Sequence, residues 1–523
     1  MSPNKRIFWN VVATYGRSLF ALICGIFSAR WVLMSLGAVD YGLFGVVGGL
    51  VVFISFLNNT LSTANSRFYS VAIGRARSVE DKGAALDDCR KWFNTALTIH
   101  TIVPIVVTLI GYPIGVWAVK NFLTIPPNRI EACIWVFRLT CLSCFVNMAS
   151  VPFGAMYRAK QLIAELTIYG YATAVINVCC LYYMVSHPSD WLVRYAILTM
   201  LLAVVPHILI TARALGAFPE CKLVPSYFFN RGHIRQVLAF AGWELLGSLC
   251  QLLRVQGVSI AVNKYFGASV NAAMSLGNSV DANASSLSSS LIGAFQPAIA
   301  NAYGEGNLDK MRAFAFRACK FGTLLQLVFV IPLMAELHQI LVLWLKKPPQ
   351  YTAFLCIVAL ISHLFMSLTQ GFYSATNACG KIREYQLGMS VISILTLPIV
   401  VLVLTLGGGV YSLGVTMLLA MVCLAMRRVY FGSRLAGMSP KYWACKIFIP
   451  LLVVGIISSG AAFLPHCFMN MNLIRIIVSA LFAEVAIIVV SWFVVFEPEE
   501  RAFVTDKLVS RFPLLSMYIN KAR

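Results

Sequence analysis

The chain is a succession of apolar stretches, each long enough to cross a bilayer, joined by loops too short to fold alone. About fourteen reach the ~20 residues a transmembrane helix needs: 8–29, 43–64, 93–118, 132–153, 164–185, 191–210, 237–262, 270–296, 318–344, 352–375, 387–406, 410–426, 447–464 and 473–496. In hydrocarbon every backbone N–H and C=O must be satisfied internally, so such spans fold as helices. The expected class is an all-α polytopic membrane protein with about fourteen transmembrane helices. Composition agrees. Of 523 residues 59% are hydrophobic and 12% charged, with mean hydropathy +0.80, against about 25% charged in soluble domains. No polar stretch exceeds about thirty residues, too few for a separate soluble core. The first span follows Lys5 and Arg6, is longer than a signal-peptide core and lacks a small-residue cleavage site, so it is expected to be retained.

The net charge of +21 has a sidedness. With the N-terminus inside, about thirty of the 41 Lys and Arg fall on cytoplasmic segments, among them Arg67, Arg75, Arg77, Lys82, Arg90 and Lys91 in the second loop. This bias puts both termini in the cytoplasm, and no aromatic-interleaved basic loop argues for nucleic acid. The 15 cysteines lie mostly inside apolar spans, where they act as small hydrophobes. Cys141 and Cys144 form a CxxC within a span, without further metal-ligand spacing, so no metal or cofactor is expected. There is no P-loop, serine-nucleophile motif or HExxH, and the external loops are too short for a catalytic domain. The chain reads as a transporter and not an enzyme.

An internal repeat organises the spans. Leu36-Gly37-Ala38 after span one aligns with Phe266-Gly267-Ala268 after span seven, a shift of 267 − 37 = 230 residues. The same shift pairs Ser55 with Ser285, Leu57 with Leu287, Ala72 with Ala302 and Gly74 with Gly304. Six spans separate the copies, so the unit is six helices in one orientation, a parallel repeat about the membrane normal. The expected organisation is a first six-helix lobe at 1–212, a cytoplasmic linker at 213–235, a second six-helix lobe at 236–428, two extra helices at 429–497 and a cytoplasmic tail at 498–523 with amphipathic character.

Charges inside the spans mark the candidate site. An arginine at the bilayer centre costs about 2.5–3.5 kcal/mol on insertion scales, so it is kept where it faces water, a partner or an anion. Arg17 shares a helical face with Asn10, Thr14, Ala21, Cys24 and Ser28. In span seven, Glu244, Ser248, Gln251 and Arg254 fall near one face, which leaves open an internal Glu244–Arg254 pair. Span eight carries Asn271, Ser275, Asn278, Asp281, Ser285 and Ser288 at helical spacing, more polarity than a lipid-facing helix can hold. Its repeat partner, span two, is Gly-rich, with Gly42, Gly45, Gly48 and Gly49. Arg138 in span four is a further cation, and the lone histidines His100, His207 and His363 read first as packed, hydrogen-bonded residues. The shift of 230 pairs Arg17 with Gly247, so the positive charges of the two lobes occupy different depths.

The stretch 28–68, with Arg30, the Leu36-Gly37-x-x-Asp40-Tyr41-Gly42 turn and the Gly-rich second helix, resembles the start of bacterial polysaccharide flippases. These are the O-antigen and capsule repeat-unit flippases of the multidrug/oligosaccharidyl-lipid/polysaccharide exporter superfamily. The resemblance implies a polyprenyl-pyrophosphate-linked oligosaccharide as cargo, carried across the bacterial cytoplasmic membrane by alternating access. On that reading Arg17 and Arg254, helped by Arg30 and Arg138, take the pyrophosphate, since arginine suits bidentate phosphate binding. Asn271, Asn278, Asp281, Ser285 and Gln251 form the sugar path. Asp281 and Glu244 are the candidates for coupling to Na⁺ or H⁺, with the membrane potential as the other driving force. Membrane lipids and a polysaccharide polymerase are the implied partners of a monomeric protein. The competing readings are a cation-coupled multidrug exporter of the same superfamily, a lipid II-type flippase and a membrane enzyme of envelope glycan assembly.

Overall fold

The computed structural model describes 52–78, 82–123, 125–187, 189–345, 348–502 and Thr505, with Gly16, Arg17, Phe20, Cys24, Ser28, Trp31, Val32, 34–37, Asp40, Tyr41, Leu43, Phe44 and Val47. Arg30, Asn10, Thr14, Ala21, the span-two glycines Gly42, Gly45, Gly48 and Gly49, and most of the C-terminal tail lie outside the described residues. The described chain is helical, with no strand. In order the helices are α1 (Val52–Ser78), α2 (Lys82–Trp117), α3 (Ile130–Ala159), α4 (Ile163–Ser186), α5 (Leu192–Ala217), α6 (Arg231–Gly304), α7 (Leu308–Ala335), α8 (Leu337–Leu345), α9 (Thr352–Leu368), α10 (Gln370–Cys379), α11 (Ile382–Thr405), α12 (Val410–Ala436), α13 (Ile449–Phe463) and α14 (Leu473–Val494).

Among the described residues ten helices are long and apolar enough to cross a membrane, and the broken pair α9–α10 makes an eleventh. The difference from fourteen has a physical source. Spans one and two fall largely in the partly described N-terminal region, and span eight forms a helix too polar to count as apolar. The protein is an all-helical, multi-pass membrane protein.

Spans seven and eight run as one 74-residue element, α6, interrupted at Gly267 with φ 80° and ψ 179°. A straight helix of that length would exceed 100 Å, several times the ~30 Å hydrocarbon core, so the chain has to turn. Only glycine takes such a φ without a Cβ clash. Its repeat partner Gly37 has φ 74°. Asn230 caps the start of α6, its side chain accepting from the His233 amide at 3.1 Å.

The described chain forms two compact units that do not follow chain order. The first comprises Met1–Leu252, Ser290–Ala315 and Tyr373–Val391; the second comprises Leu253–Ser289, Phe316–Phe372 and Ile392–Arg523. In the first, α1 meets the end of α6 backbone to backbone. A Cβ on Gly74 would lie 2.1 Å from the Asn301 carbonyl oxygen and 2.9 Å from Gly304 Cα. A Cβ on Gly304 would lie 2.1 Å from the Val71 carbonyl oxygen and 2.9 Å from Val71 Cα. Shifted by 230, Val71 is Asn301 and Gly74 is Gly304, so each glycine meets its partner helix at the same distance, as a local two-fold requires.

The segment 213–235, expected as a linker, is pinned to the helices of the same unit. The Asn94 amide donates to the Lys222 carbonyl at 3.0 Å and its oxygen accepts from the Val224 amide at 3.0 Å. Lys160 pairs with Glu220 at 2.8 Å. On the opposite side, Asp40 of the Gly37 turn pairs with Arg129 at 3.0 Å, and Arg129 also holds Asp190 at 2.6 Å. The arginine hydrogen bond keeps the Asp190 carboxyl below the usual carboxylate range.

The second unit ties its last helix down through a buried ion pair. Arg475 of α14 donates to both Glu336 oxygens at 2.9 Å, and Ser479 adds a bond at 3.0 Å. Glu336 is 2% exposed. Arg475→Met removes the only arginine bonded to this carboxylate among the described residues, which is expected to cost about 3–5 kcal/mol and to lower the unfolding temperature in detergent; an unchanged temperature counts against the staple. The glycine crossing predicts a second outcome. Gly74→Val forces α1 away from α6, so a Ser70→Cys probe, buried in the native protein, becomes labelled by a water-soluble maleimide in detergent. Labelling as slow as without the valine would show that the crossing does not guard this position.

Candidate functional site

Asn59, Ser62, Thr63, Ser66, Arg67 and Ser70 recur on α1 at steps of three and one, the pattern of a single helical face. This face lines a cavity of about 340 Å³ in the first unit. The C-terminal part of α6 closes it with Gln296 and Pro297, α10 with Ser374 and Asn377, and the last turn of α3 with Arg158. Two arginines and a set of amides and hydroxyls line it, and among the described residues no carboxylate does.

Both guanidiniums are positioned by neutral groups. Arg158 donates to the Ser62 hydroxyl. Arg67 Nε donates to the Asn377 carbonyl at 2.5 Å and Nη2 to the Ala378 carbonyl at 3.1 Å. These are the last carbonyls of α10, where the helix dipole favours a cation by about 0.3–1 kcal/mol. The guanidinium also lies over the Phe68 and Phe240 rings, 4.8 and 5.1 Å from their centroids. Gly380 leaves the seat open: a Cβ there would fall 2.2 Å from Arg67 Nη2. Behind this wall the Asn377 amide donates to Glu244 at 3.1 Å, joined by Tyr373 at 3.0 Å and Gln386 at 2.7 Å. Asn377 thus touches Arg67 through its backbone and Glu244 through its side chain.

The end of the apolar stretch at residue 64 puts Arg67 in the second cytoplasmic loop. It lies instead within α1, which continues to Ser78, and it lines the cavity. The signal for Arg67 is the stripe at 59–70, which ending span two at residue 64 cuts short; nothing in the sequence singles out Arg158 on α3. His100 reads as foreseen: fully buried, it contacts the Asn65 amide at 2.7 Å and the Met148 carbonyl at 2.8 Å.

The residues expected to hold pyrophosphate are not gathered in this cavity. Arg17 is exposed, and its aliphatic stem lies beside Gly170 of α4. Arg138 is exposed, donates to the Tyr112 hydroxyl at 2.9 Å and covers the Trp135 ring. Arg254 belongs to the second unit, is 8% exposed, and its Nε has no acceptor among the described residues. Arg30 lies outside the described residues.

Of the sugar-path residues, Gln251 on α6 is exposed. In the second unit Asn278 is exposed, Ser285 is buried and bonded to its own helix at Ala282, and Asn271 accepts from Ser259 at 2.8 Å. Asp281 Oδ2 meets His363 Nδ1 at 3.1 Å, while Oδ1 is buried with no donor among the described residues. His363 therefore partners an acid and is not a lone packed histidine.

Residues 245–404 match the MatE family. No curated protein matches the chain in sequence. Among solved structures, an outward-facing multidrug resistance MATE family transporter of the MOP superfamily superposes with TM-score 0.66 at 15% identity, over 84% of this chain and 96% of that one. A MATE in complex with MaL6 gives 0.65 at 14% identity, over 84% and 97%. A MOP superfamily transporter from Pyrococcus furiosus, described by a reversed polarity of its binding pocket, gives 0.63 at 15% identity, over 84% and 96%. The fold is that of the MATE transporters. Within this MATE fold, the region matched in sequence covers most of α6 and runs through α11.

Just past the glycine crossing, Glu305 accepts from Arg77 of α1 at 3.1 Å and Lys310 of α7 at 2.7 Å. Burial raises its carboxyl, but the two cationic donors outweigh that and hold it below the ordinary 4.5. A depressed acid stabilises the fold above its ordinary value, and that contribution is lost as pH falls through the folded value. Glu305→Gln is therefore expected to lower the unfolding temperature at pH 7, with the gap to the parent protein closing below pH 4.5. A gap independent of pH would remove the clasp from the account.

Proposed function

We propose that the protein is a flippase that moves a polyprenyl-pyrophosphate-linked oligosaccharide from the inner to the outer leaflet of a bacterial cytoplasmic membrane, by alternating access. The observation that carries this reading is the polarity of the cavity in the first unit: Arg67 and Arg158 with amides and hydroxyls, and no carboxylate among the described residues. Guanidinium groups pair bidentately with phosphate oxygens, and amides and hydroxyls suit a hydrated sugar. An exporter of cationic drugs calls for the opposite sign. Buried Arg254 supports the same reading, because its buried Nε, which has no acceptor among the described residues, suits an anion. We keep Arg17, Arg138 and Arg30 as contributors to an anion path, and Asn271, Asn278, Asp281, Ser285 and Gln251 to the sugar path. The P. furiosus relative is a precedent for a MOP transporter described by reversed pocket polarity.

One observation favours cation-coupled multidrug export instead. The Asp281–His363 pair is a titratable acid in a helix otherwise lined with amides and hydroxyls, and it also suits H⁺ or Na⁺ coupling in a flippase.

Deletion is expected to accumulate the lipid-linked oligosaccharide. Arg158→Ala and Arg254→Ala, each still inserted in the membrane, are expected to abolish surface polysaccharide. Normal surface polysaccharide from both variants would overturn the reading. Drug resistance gained on expression and lost with Asp281→Asn would establish the exporter.

A further inference from the structure

The first unit holds a second recess, a cleft of about 530 Å³. Its lining steps along α1 from Arg67 to Arg75, whereas the cavity is lined from Asn59 to Ser70. The cleft therefore lies toward the C-terminal end of α1, the end that the positive-inside bias assigns to the cytoplasm, and Arg67 is the cation common to both. Arg67, Arg75, Lys381 and Arg383 line it, against a single carboxylate among the described residues, Glu384. Lys381 and Arg383 are exposed, and Lys381 has no acceptor among the described residues. They stand at the start of α11, whose first-turn N–H groups and dipole add positive potential.

The walls are not those of a site for a bare inorganic ion. Trp243 lines the cleft and carries the Arg383 guanidinium 5.4 Å from its ring centroid. Trp92, also in the lining, is stacked between Phe68 and His233. Cations interleaved with tryptophan at the cytoplasmic boundary match an amphiphile whose anionic head lies at the membrane surface.

We propose that this cleft binds the phosphate-bearing headgroup of an inner-leaflet lipid, with a diphosphate as the best match to Lys381 and Arg383 beside Arg67. The phosphate chemistry stands on the cleft itself; the identification of the lipid as cargo rests on the flippase reading. A diphosphate held by Lys381 and Arg383 has Arg67 as its next cation, and Arg67 already reaches the cavity. Competition by phosphate oxygens for Arg67 would release the guanidinium from the Asn377 and Ala378 carbonyls, which ties occupancy of the cleft to the contact between α1 and α10.

The test is binding to the full-length protein in neutral detergent. Farnesyl diphosphate, a water-soluble isoprenoid diphosphate, is titrated while tryptophan fluorescence is read, and Trp243→Phe identifies the reporter. Lys381→Gln combined with Arg383→Gln is expected to weaken binding about tenfold or more. Lys381→Glu, at an exposed position, serves as an independent second variant. Arg158→Gln, which touches only the cavity, is expected to change the affinity by less than about twofold. Competition by phosphatidylglycerol nanodiscs as strong as that by inorganic pyrophosphate would assign the cleft to bulk anionic lipid; competition by diphosphates alone would assign it to cargo. Binding indifferent to both the Lys381 and the Arg383 changes overturns the proposal. This readout is separate from transport: the cleft can fail while Arg158→Ala still abolishes surface polysaccharide, and the converse result would retire the flippase reading and leave the cleft standing.

Discussion

The crossing of α1 and the end of α6 at Gly74 and Gly304 is the constraint on which the functional part of the first unit depends. With no Cβ at either position, the backbones approach to where a methyl group would sit 2.1 Å from a carbonyl oxygen. In a bilayer, lipid tails compete with apolar side chains on equal terms, so helices associate through close packing of small residues. The crossing brings the polar stripe of α1 against Gln296 and Pro297 of α6 and so forms one wall of the cavity. The ionic clasp of Glu305 with Arg77 and Lys310 follows directly after the crossing along both helices.

Charge is handled differently at the cavity and at the Arg475–Glu336 fastening. In the first, Arg67 and Arg158 are held by carbonyl and hydroxyl oxygens, so their positive charge is oriented without being neutralised. Glu244 is likewise bonded to Tyr373, Asn377 and Gln386. A carboxylate beside either arginine would have cancelled the field on which anion binding depends. In the second unit Arg475 and Glu336 neutralise one another with full hydrogen bonding, the arrangement expected of a structural fastening. The contrast separates cations kept for a ligand from cations spent on architecture.

Much of this was legible in the residue order. Gly37 and Gly267 aligned under the 230-residue shift, and both prove to have φ near +80°. Gly74 and Gly304 aligned under the same shift and meet at mirrored distances. The polar face of span eight was visible as spacing, yet part of it is satisfied by its own backbone: Ser279, Asn283 and Ser286 all bond to carbonyls three or four residues earlier. The Asp40 turn, which carries the flippase resemblance, has a structural partner in Arg129. What was missed was the continuation of α1 beyond its apolar stretch. Hydropathy marks where a helix leaves hydrocarbon, not where its hydrogen bonds end, so Arg67 was assigned to a loop.

The sequence by itself determined that the chain crosses a membrane as helices and which of its glycines correspond under a 230-residue shift. Those properties follow from transfer free energies and from periodicity, which are local and additive along the chain. Only the tertiary structure decided which arginines share a cavity. Arg67 and Arg158 are 91 residues apart, and each is placed by a carbonyl or hydroxyl on a different helix. Whether a guanidinium ends against a carboxylate, a helix terminus or an open cavity depends on which backbones can approach closely, and at this site two glycines 230 residues apart permit that approach.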